Sequence, residues 1–212
     1  GDLVEASKLS VAKTIRNQQA VMTHVVKGLT DESRHEMKEA RKLAKKINKR
    51  SKELKENIAQ TVATLEANQI ETGYYYAQMI DFMREIAHSS EYISKPSFEH
   101  LDNNLNRLSD LQLEDLSKVI ASFSKLTNAA LNLLDGAIFK ETENLGLIEK
   151  EITDQIRLFR LNHFAKIKKS KSNAKSSTLY LNLLTEMQNT SRFTVNLMLS
   201  THDFVVNRQS KK

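Results

Sequence analysis

The chain contains no cysteine and no tryptophan, a single proline and only five glycines. Without cysteine there is no disulfide scaffold, no thiolate metal site and no cysteine nucleophile. With so little proline and glycine, the frequent turns that a sheet needs between its short strands have no chemistry to build them. Long hydrophobic runs are missing as well. The longest stretches without a charged residue, such as 17–26 and 176–185, are ten residues long, about half of the roughly 20 that a membrane-spanning helix requires. The sequence opens on Gly1 rather than methionine, with neither a signal-peptide h-region nor an amphipathic, acid-poor leader, so an excised fragment or a trimmed tag is expected.

What is present is 212 residues, 40% of them hydrophobic and 27% charged. That length buries roughly 70% of the unfolded surface and needs no covalent staples. Leu, Ala, Lys, Glu and Asn are abundant, and the reading is an all-α, soluble protein. Its punctuation is confined to Gly28 with Asp31, Gly73, Lys95-Pro96, Asp135-Gly136 and a serine and lysine cluster at 168–177.

Between these breaks the apolar spacing predicts long helices. The first covers about 7–27, with Val11, Ile15, Val21, Met22 and Val25 as its stripe. Asp31 is the expected N-cap of a second helix reaching about residue 67, in which Leu43, Ile47, Leu54, Ile58, Val62 and Leu65 fall at threes and fours between charges. A third, about 71–94, carries Tyr75, Met79, Phe82, Met83, Ile86 and Ile93 on a seam of seven-residue character and is expected to end at Pro96. A polar connector with His100, Asp102, Asn103 and Asn104 follows. The same order of lengths then recurs at 113–134, 136–169 and 177–207.

Sliding the chain on itself gives one register, a shift of 104 residues that pairs Tyr76 with Tyr180, Met79 with Leu183, Ile80 with Leu184, Met83 with Met187 and Ile93 with Leu197. The expected architecture is two tandem three-helix bundles with six long helices. The first repeat covers 1–95, a connector 96–112, and the second repeat 113–212.

The formal charge of +6 is concentrated in the run 41–50 and in Lys166, Lys168, Lys169, Lys171 and Lys175. The first run alternates with an apolar stripe and is flanked by Glu36, Glu39, Glu53 and Glu56, which suits pairing at four-residue spacing along a solvated helix. No aromatics interleave with the basic residues as a stacking groove for nucleic acid requires, so no nucleic-acid partner is expected. An anionic membrane surface or an acidic partner remains open.

Glu32 with His35 and Glu85 with His88 both fit Glu-x-x-His, the spacing that aims a carboxylate and an imidazole at one ion in carboxylate-bridged di-metal bundles. An up-down-up bundle would gather His24, His35, His88 and His100 at one pole. Such a centre also needs an inward glutamate from each of two further helices, and none lies clearly on an apolar stripe, so no bound metal is expected. Asp81 with Glu85 is an ordinary acidic pair. With no glycine-rich phosphate loop and no nucleophile elbow, no enzymatic chemistry is expected. Tyr74, Tyr75 and Tyr76 are consecutive, so at most two of them enter a core.

The stretch 73–93, Gly-Tyr-Tyr-Tyr-Ala-Gln-Met-Ile-Asp-Phe-Met-Arg-Glu-Ile-Ala-His-Ser-Ser-Glu-Tyr-Ile, is followed at 96–104 by Pro-Ser-Phe-Glu-His-Leu-Asp-Asn-Asn. Together they resemble the PhoU-like cytoplasmic domain that follows the membrane part of bacterial sodium/phosphate cotransporters. The stretch 180–197 looks like the second copy of the same helix. The resemblance covers essentially the whole chain, and it implies two three-helix repeats, a non-catalytic regulatory role in phosphate transport, a position on the cytoplasmic side of the bacterial inner membrane, and possible homodimerisation. Its partner would be the membrane domain of its own or another phosphate transporter.

Better-known members of that family bind metal clusters through an acidic pair on the third helix of each repeat. The matching positions here are Arg84 with His88 and Gln188 with Arg192, neither of them acidic. The departure removes those ligands, and the basic side chains would repel a cation. Two alternatives stay open: a stand-alone cytosolic adaptor in phosphate regulation, and a carboxylate di-metal bundle enzyme using Glu32, His35, Glu85 and His88.

Overall fold

The computed structural model describes residues 2–136, 142–169 and 174–210. The described residues form seven helices, six long and one short, and no strand: α1 (Asp2–Asp31), α2 (Arg34–Glu56), α3 (Ile58–Ala63), α4 (Ile70–Asp102), α5 (Asp110–Asp135), α6 (Glu143–Lys169) and α7 (Ala174–Ser210), with a 3-10 turn at Ala67–Gln69 ahead of α4. The fold is an all-α bundle. The part of the sixth expected helix at 137–141, and Lys171 of the second basic run, lie outside the described residues.

Helices α1, α2 and α4 pack on one another, as do α5, α6 and α7. The register of 104 relates the two triples at several levels. Helix α1 ends at Asp31 and α5 at Asp135. All five aligned pairs, from Tyr76 with Tyr180 to Ile93 with Leu197, are buried in both copies. The hydroxyls match too: Ser90 and Ser97 donate to the carbonyls of Ile86 and Ile93, and Thr194 and Thr201 donate to those of Thr190 and Leu197.

The triples meet along α4 and α7, the most extensive helix pairing in the molecule. Its direction is antiparallel. Thr72 donates to Asn207, the rings of Tyr76 and Phe204 lie 5.8 Å apart, and Ser89 donates to Glu186, so one helix descends as the other climbs. Small buried side chains recur along both helices, among them Ala87, Ser90, Ser94 and Ser97 on α4 and Ser191, Thr194 and Thr201 on α7. They allow close backbone approach, and the hydroxyls of Ser90, Ser97, Ser191, Thr194 and Thr201 each bond a carbonyl of their own helix, avoiding a desolvation cost. At the centre sits Gln18 of α1, fully buried; its amide donates to Thr190 on α7 (2.7 Å) and its carbonyl accepts from Ser90 on α4.

The helix ends depart from expectation in four places. Asp31 does not cap α2. Glu32 instead takes the left-handed conformation (φ 51°), the Ser33 N–H bonds back to the Gly28 carbonyl, and the Ser33 hydroxyl accepts from the Glu36 N–H. This is a Schellman closure run directly into an N-cap, so α1 continues through Gly28 to the turn. The helix expected over 31–67 breaks at Asn57, after which α3 buries no side chain. Gly73 lies inside α4, where a β-carbon would sit 3.2 Å from Val62 Cγ1, so it serves close packing and makes no break.

Pro96 does not end the third long helix. Helix α4 runs on to Asp102, because Ser97 and His100 beyond the proline are buried and their packing outweighs the one backbone bond that Pro96 cannot make. The acceptor left over belongs to Tyr92, whose residue is exposed. The connector therefore shrinks from 96–112 to 103–109, with α5 starting at Asp110 on a Ser109–Gln112 capping box. Of the tyrosine triplet, Tyr76 is buried, Tyr75 is partly buried and Tyr74 is exposed.

Gln18→Ala should lower stability by about 2–3 kcal/mol, because it opens a cavity and removes the amide that bonds the hydroxyls of both Ser90 and Thr190. Leu9→Ala, at a residue 70% exposed on the same helix, should change it by less than about 0.5 kcal/mol. Urea unfolding of both variants checks the contrast.

Candidate functional site

The structure does not assemble the histidine pole. Because α4 continues past Pro96, His88 lies in mid-helix, 3.2 Å from the Arg84 guanidinium, which itself donates to Asn48 and Ser51 on α2. Asn48 is thirteen residues beyond His35 along α2, a separation of about 20 Å at 1.5 Å per residue. Glu32, His35, Glu85 and His88 are all exposed. His24 is engaged with Glu36 (2.5 Å), an interaction that holds the Glu36 carboxyl below its usual range. His100 Nε2 lies 2.8 Å from the Asn106 carbonyl oxygen. Among the described residues, no three His, Cys, Asp or Glu side chains are grouped to hold a metal ion.

The positions aligned with the acidic metal motif have other roles. Arg84 ties α4 to α2 through Asn48 Oδ1 (2.7 Å), Arg192 lies 3.9 Å from Glu149 on α6, and Gln188 is partly buried. In each half a basic residue reaches the middle helix of its own triple. The basic run of α2 is similarly divided: Arg41 pairs with Glu91 (2.8 Å) and Lys55 with Asp81 (2.5 Å), while Lys38, Lys42, Lys45, Lys46 and Lys49 remain exposed.

The most developed site was not expected from the sequence. Where the N-terminal ends of α5 and α7 meet the C-terminal end of α6, a groove of about 700 Å³ opens. Asp115 from α5, His163 from α6 and Tyr180 from α7 form its floor, all three more than nine-tenths buried. The Tyr180 hydroxyl donates to Asp115 Oδ2 at 2.6 Å. Burial and the neighbouring Asp115 both push the phenol's pKa up, so it remains a donor.

The His163 ring packs on Tyr180 with centroids 4.9 Å apart, and its Nε2 is buried without a hydrogen-bond partner among the described residues. Burial first, then the charge of Lys166, lower the His163 pKa against the smaller opposing pull of Asp115. The imidazole is therefore neutral at neutral pH. Arg107, Lys118, Lys166 and Lys169 form a basic rim above this floor. Two of these cations have exposed acidic neighbours, Arg107 with Asp110 (2.8 Å) and Lys118 with Glu114 (3.2 Å). Leu111, Phe159 and Ile167 supply apolar wall.

The floor belongs to the second triple alone. Tyr76 is the counterpart of Tyr180, but the counterpart of Asp115 under the 104 register is Val11, fully buried. The signal for the missing residues lay in the apolar stripes. Asp115 occupies a stripe position four before Val119 and eight before Phe123, and His163 continues the series Ile152, Ile156, Phe159. The arrangement offers hydrogen bonding at depth and positive charge at the mouth, which is binding chemistry.

Asp115→Val and Tyr180→Phe should each cost about 1–3 kcal/mol, since each strands the other's buried polar group. The double variant should lose less than the sum, with a coupling of about 1–2 kcal/mol measurable by urea unfolding.

His163 also makes stability depend on pH. The unfolded imidazole gains its proton near pH 6.5, while the buried one does so only at lower pH. The unfolded state then binds more protons, so stability is fully present above about pH 6.5 and falls as the pH drops below it. His163→Phe should flatten that fall when unfolding is compared at pH 7.5 and 5.5. An unchanged slope would contradict a neutral buried imidazole.

No protein-family model matches the chain, and no curated protein matches it.

Proposed function

We propose that the chain is a non-catalytic regulatory or interaction module of the PhoU-like kind, acting on phosphate transport and joined to, or docking on, the membrane domain of a sodium/phosphate cotransporter. The observation that carries this reading is the 104-residue repeat, visible in the ends of α1 and α5, in buried pairs and in hydroxyl back-bonds alike. It supports the duplicated three-helix organisation that the resemblance of 73–93 and 180–197 implies.

Its place would be the cytoplasmic side of the bacterial inner membrane. No helix among the described residues is long and apolar enough to cross a membrane, and the exposed lysines of α2 suit a body held beside an anionic surface. Regulation would work by population shift: the bundle docks on the membrane domain in one transport state, and an effector changes the docked fraction. The reading uses no resident metal. The exposed apolar residues Leu147, Leu158 and Leu161 on the outer side of α6 suit a homodimer.

Deleting the coding segment for these 212 residues from its native gene should change the dependence of radiolabelled phosphate uptake on external phosphate. Expressing the segment alone should restore it only when the membrane domain is present. Uptake unchanged at every phosphate concentration would overturn the proposal.

A further inference from the structure

The groove between α5, α6 and α7 joins three features that regulation by docking does not need: a basic rim, an apolar wall and a floor histidine whose Nε2 is buried with no hydrogen-bond partner among the described residues. We propose that it is a binding site for a small phosphorylated molecule with a flat or apolar body, of nucleoside monophosphate size, whose phosphate meets the rim lysines and whose body reaches His163. This inference does not rest on the regulatory role proposed above.

The rim sets the charge of the ligand. Arg107, Lys118, Lys166 and Lys169 converge from the connector and from two helices, against the single floor carboxylate of Asp115. Arg107 is tied to Asp110 and to the Thr30 and Leu108 carbonyls, so the lysines carry the rim; Glu114 offsets Lys118 in part, but that pair is solvent-exposed and worth at most about 1 kcal/mol. Several converging lysines match a multiply charged phosphate better than a lone carboxylate, because an ammonium acts on a phosphate as a point charge from many directions.

The floor sets the body of the ligand. A buried polar atom without a partner costs free energy, and a native structure that keeps one usually leaves it for a ligand, a water or an ion. His163 is 7% exposed, its Nε2 has no hydrogen-bond partner among the described residues, and its ring packs at a 50° tilt against Tyr180. Tyr180 cannot serve it, since its hydroxyl is committed to Asp115. Phe159, Leu111 and Ile167 favour an apolar or aromatic body over a polyhydroxylated one. A volume near 700 Å³ falls in the range of roughly 300–1,000 Å³ typical of small-molecule sites.

The first triple supplies the internal contrast. Where Tyr76 stands in for Tyr180, the positions of Asp115 and His163 are Val11 and Ala59, and the cleft beside Tyr76 measures only about 60 Å³. Duplication alone accounts for the tyrosine. It does not account for the carboxylate, the histidine or the larger space.

The test is titration of the full chain, labelled with nitrogen-15 in histidine, with adenosine monophosphate as the probe, followed by calorimetry and by the His163 ring resonances. Binding is expected to shift the His163 Nε2 resonance, with adenosine and inorganic phosphate each binding at least tenfold more weakly. Lys166→Ala with Lys169→Ala, both exposed, should weaken binding at least tenfold, while Lys42→Ala with Lys45→Ala on α2 should leave it unchanged. His163→Phe should weaken it as well, and the lysine variants keep the test decisive if that variant folds poorly. No binding, or binding without a His163 shift, overturns the proposal. So does tight binding to phosphatidylglycerol vesicles that depends on Lys166 and Lys169 in the absence of nucleotide binding, which assigns the rim to a membrane surface.

Discussion

Everything in this protein hangs on the antiparallel seam between α4 and α7. These are the two longest helices, 33 and 37 residues, and each is the third member of its own triple. Several of the small buried side chains on these two helices are serines and threonines whose hydroxyls are tied to their own helices. An antiparallel seam between two like helices is self-complementary, as in an isologous dimer. Two copies of one unit can therefore be joined by it within a single chain. Gln18 then locks α1 onto the centre by bonding both partners of the seam.

A duplicated unit invites a comparison of its halves, and the differences are more informative than the likenesses. Shared features such as the Tyr76 and Tyr180 pair and the back-bonded hydroxyls serve packing. Unshared ones are concentrated at a single end of the second triple, where valine is replaced by Asp115 and an apolar stripe continues into His163. Buried polar groups cost stability, so a polar floor in one half alone reads as a site bearing a purpose other than folding. Arg84 and Arg192 show the opposite case, in which basic residues four positions apart in the register each reach the middle helix of their own triple.

Much of the fold was legible without coordinates. The stripe of Val11, Ile15, Val21, Met22 and Val25 is wholly buried, and the repeat register read from apolar positions reappears in the packing. Helix ends were less legible. A proline is a strong local stop, and Pro96 fails to stop α4 only because Ser97 and His100 are wanted in the core. The turn after α1 uses Glu32 in a left-handed conformation that local chemistry reserves for glycine. Misplacing these two ends by a few residues was enough to suggest a histidine pole: ending α4 early brought His88, on paper, to a level with His35 that it does not occupy.

By itself the sequence determined the helical class, the number of long helices and the stripes that face inward, because all of these follow from local periodicity and the scarcity of turn residues. Only the tertiary structure decided which polar residues share a site. Asp115, His163 and Tyr180 come from three helices, separated by 48 and 17 residues, and nothing local links them. Their meeting depends on the rotation and stagger at which α5, α6 and α7 settle. Those are fixed by the packing of the whole bundle, so the groove exists only once the bundle has folded.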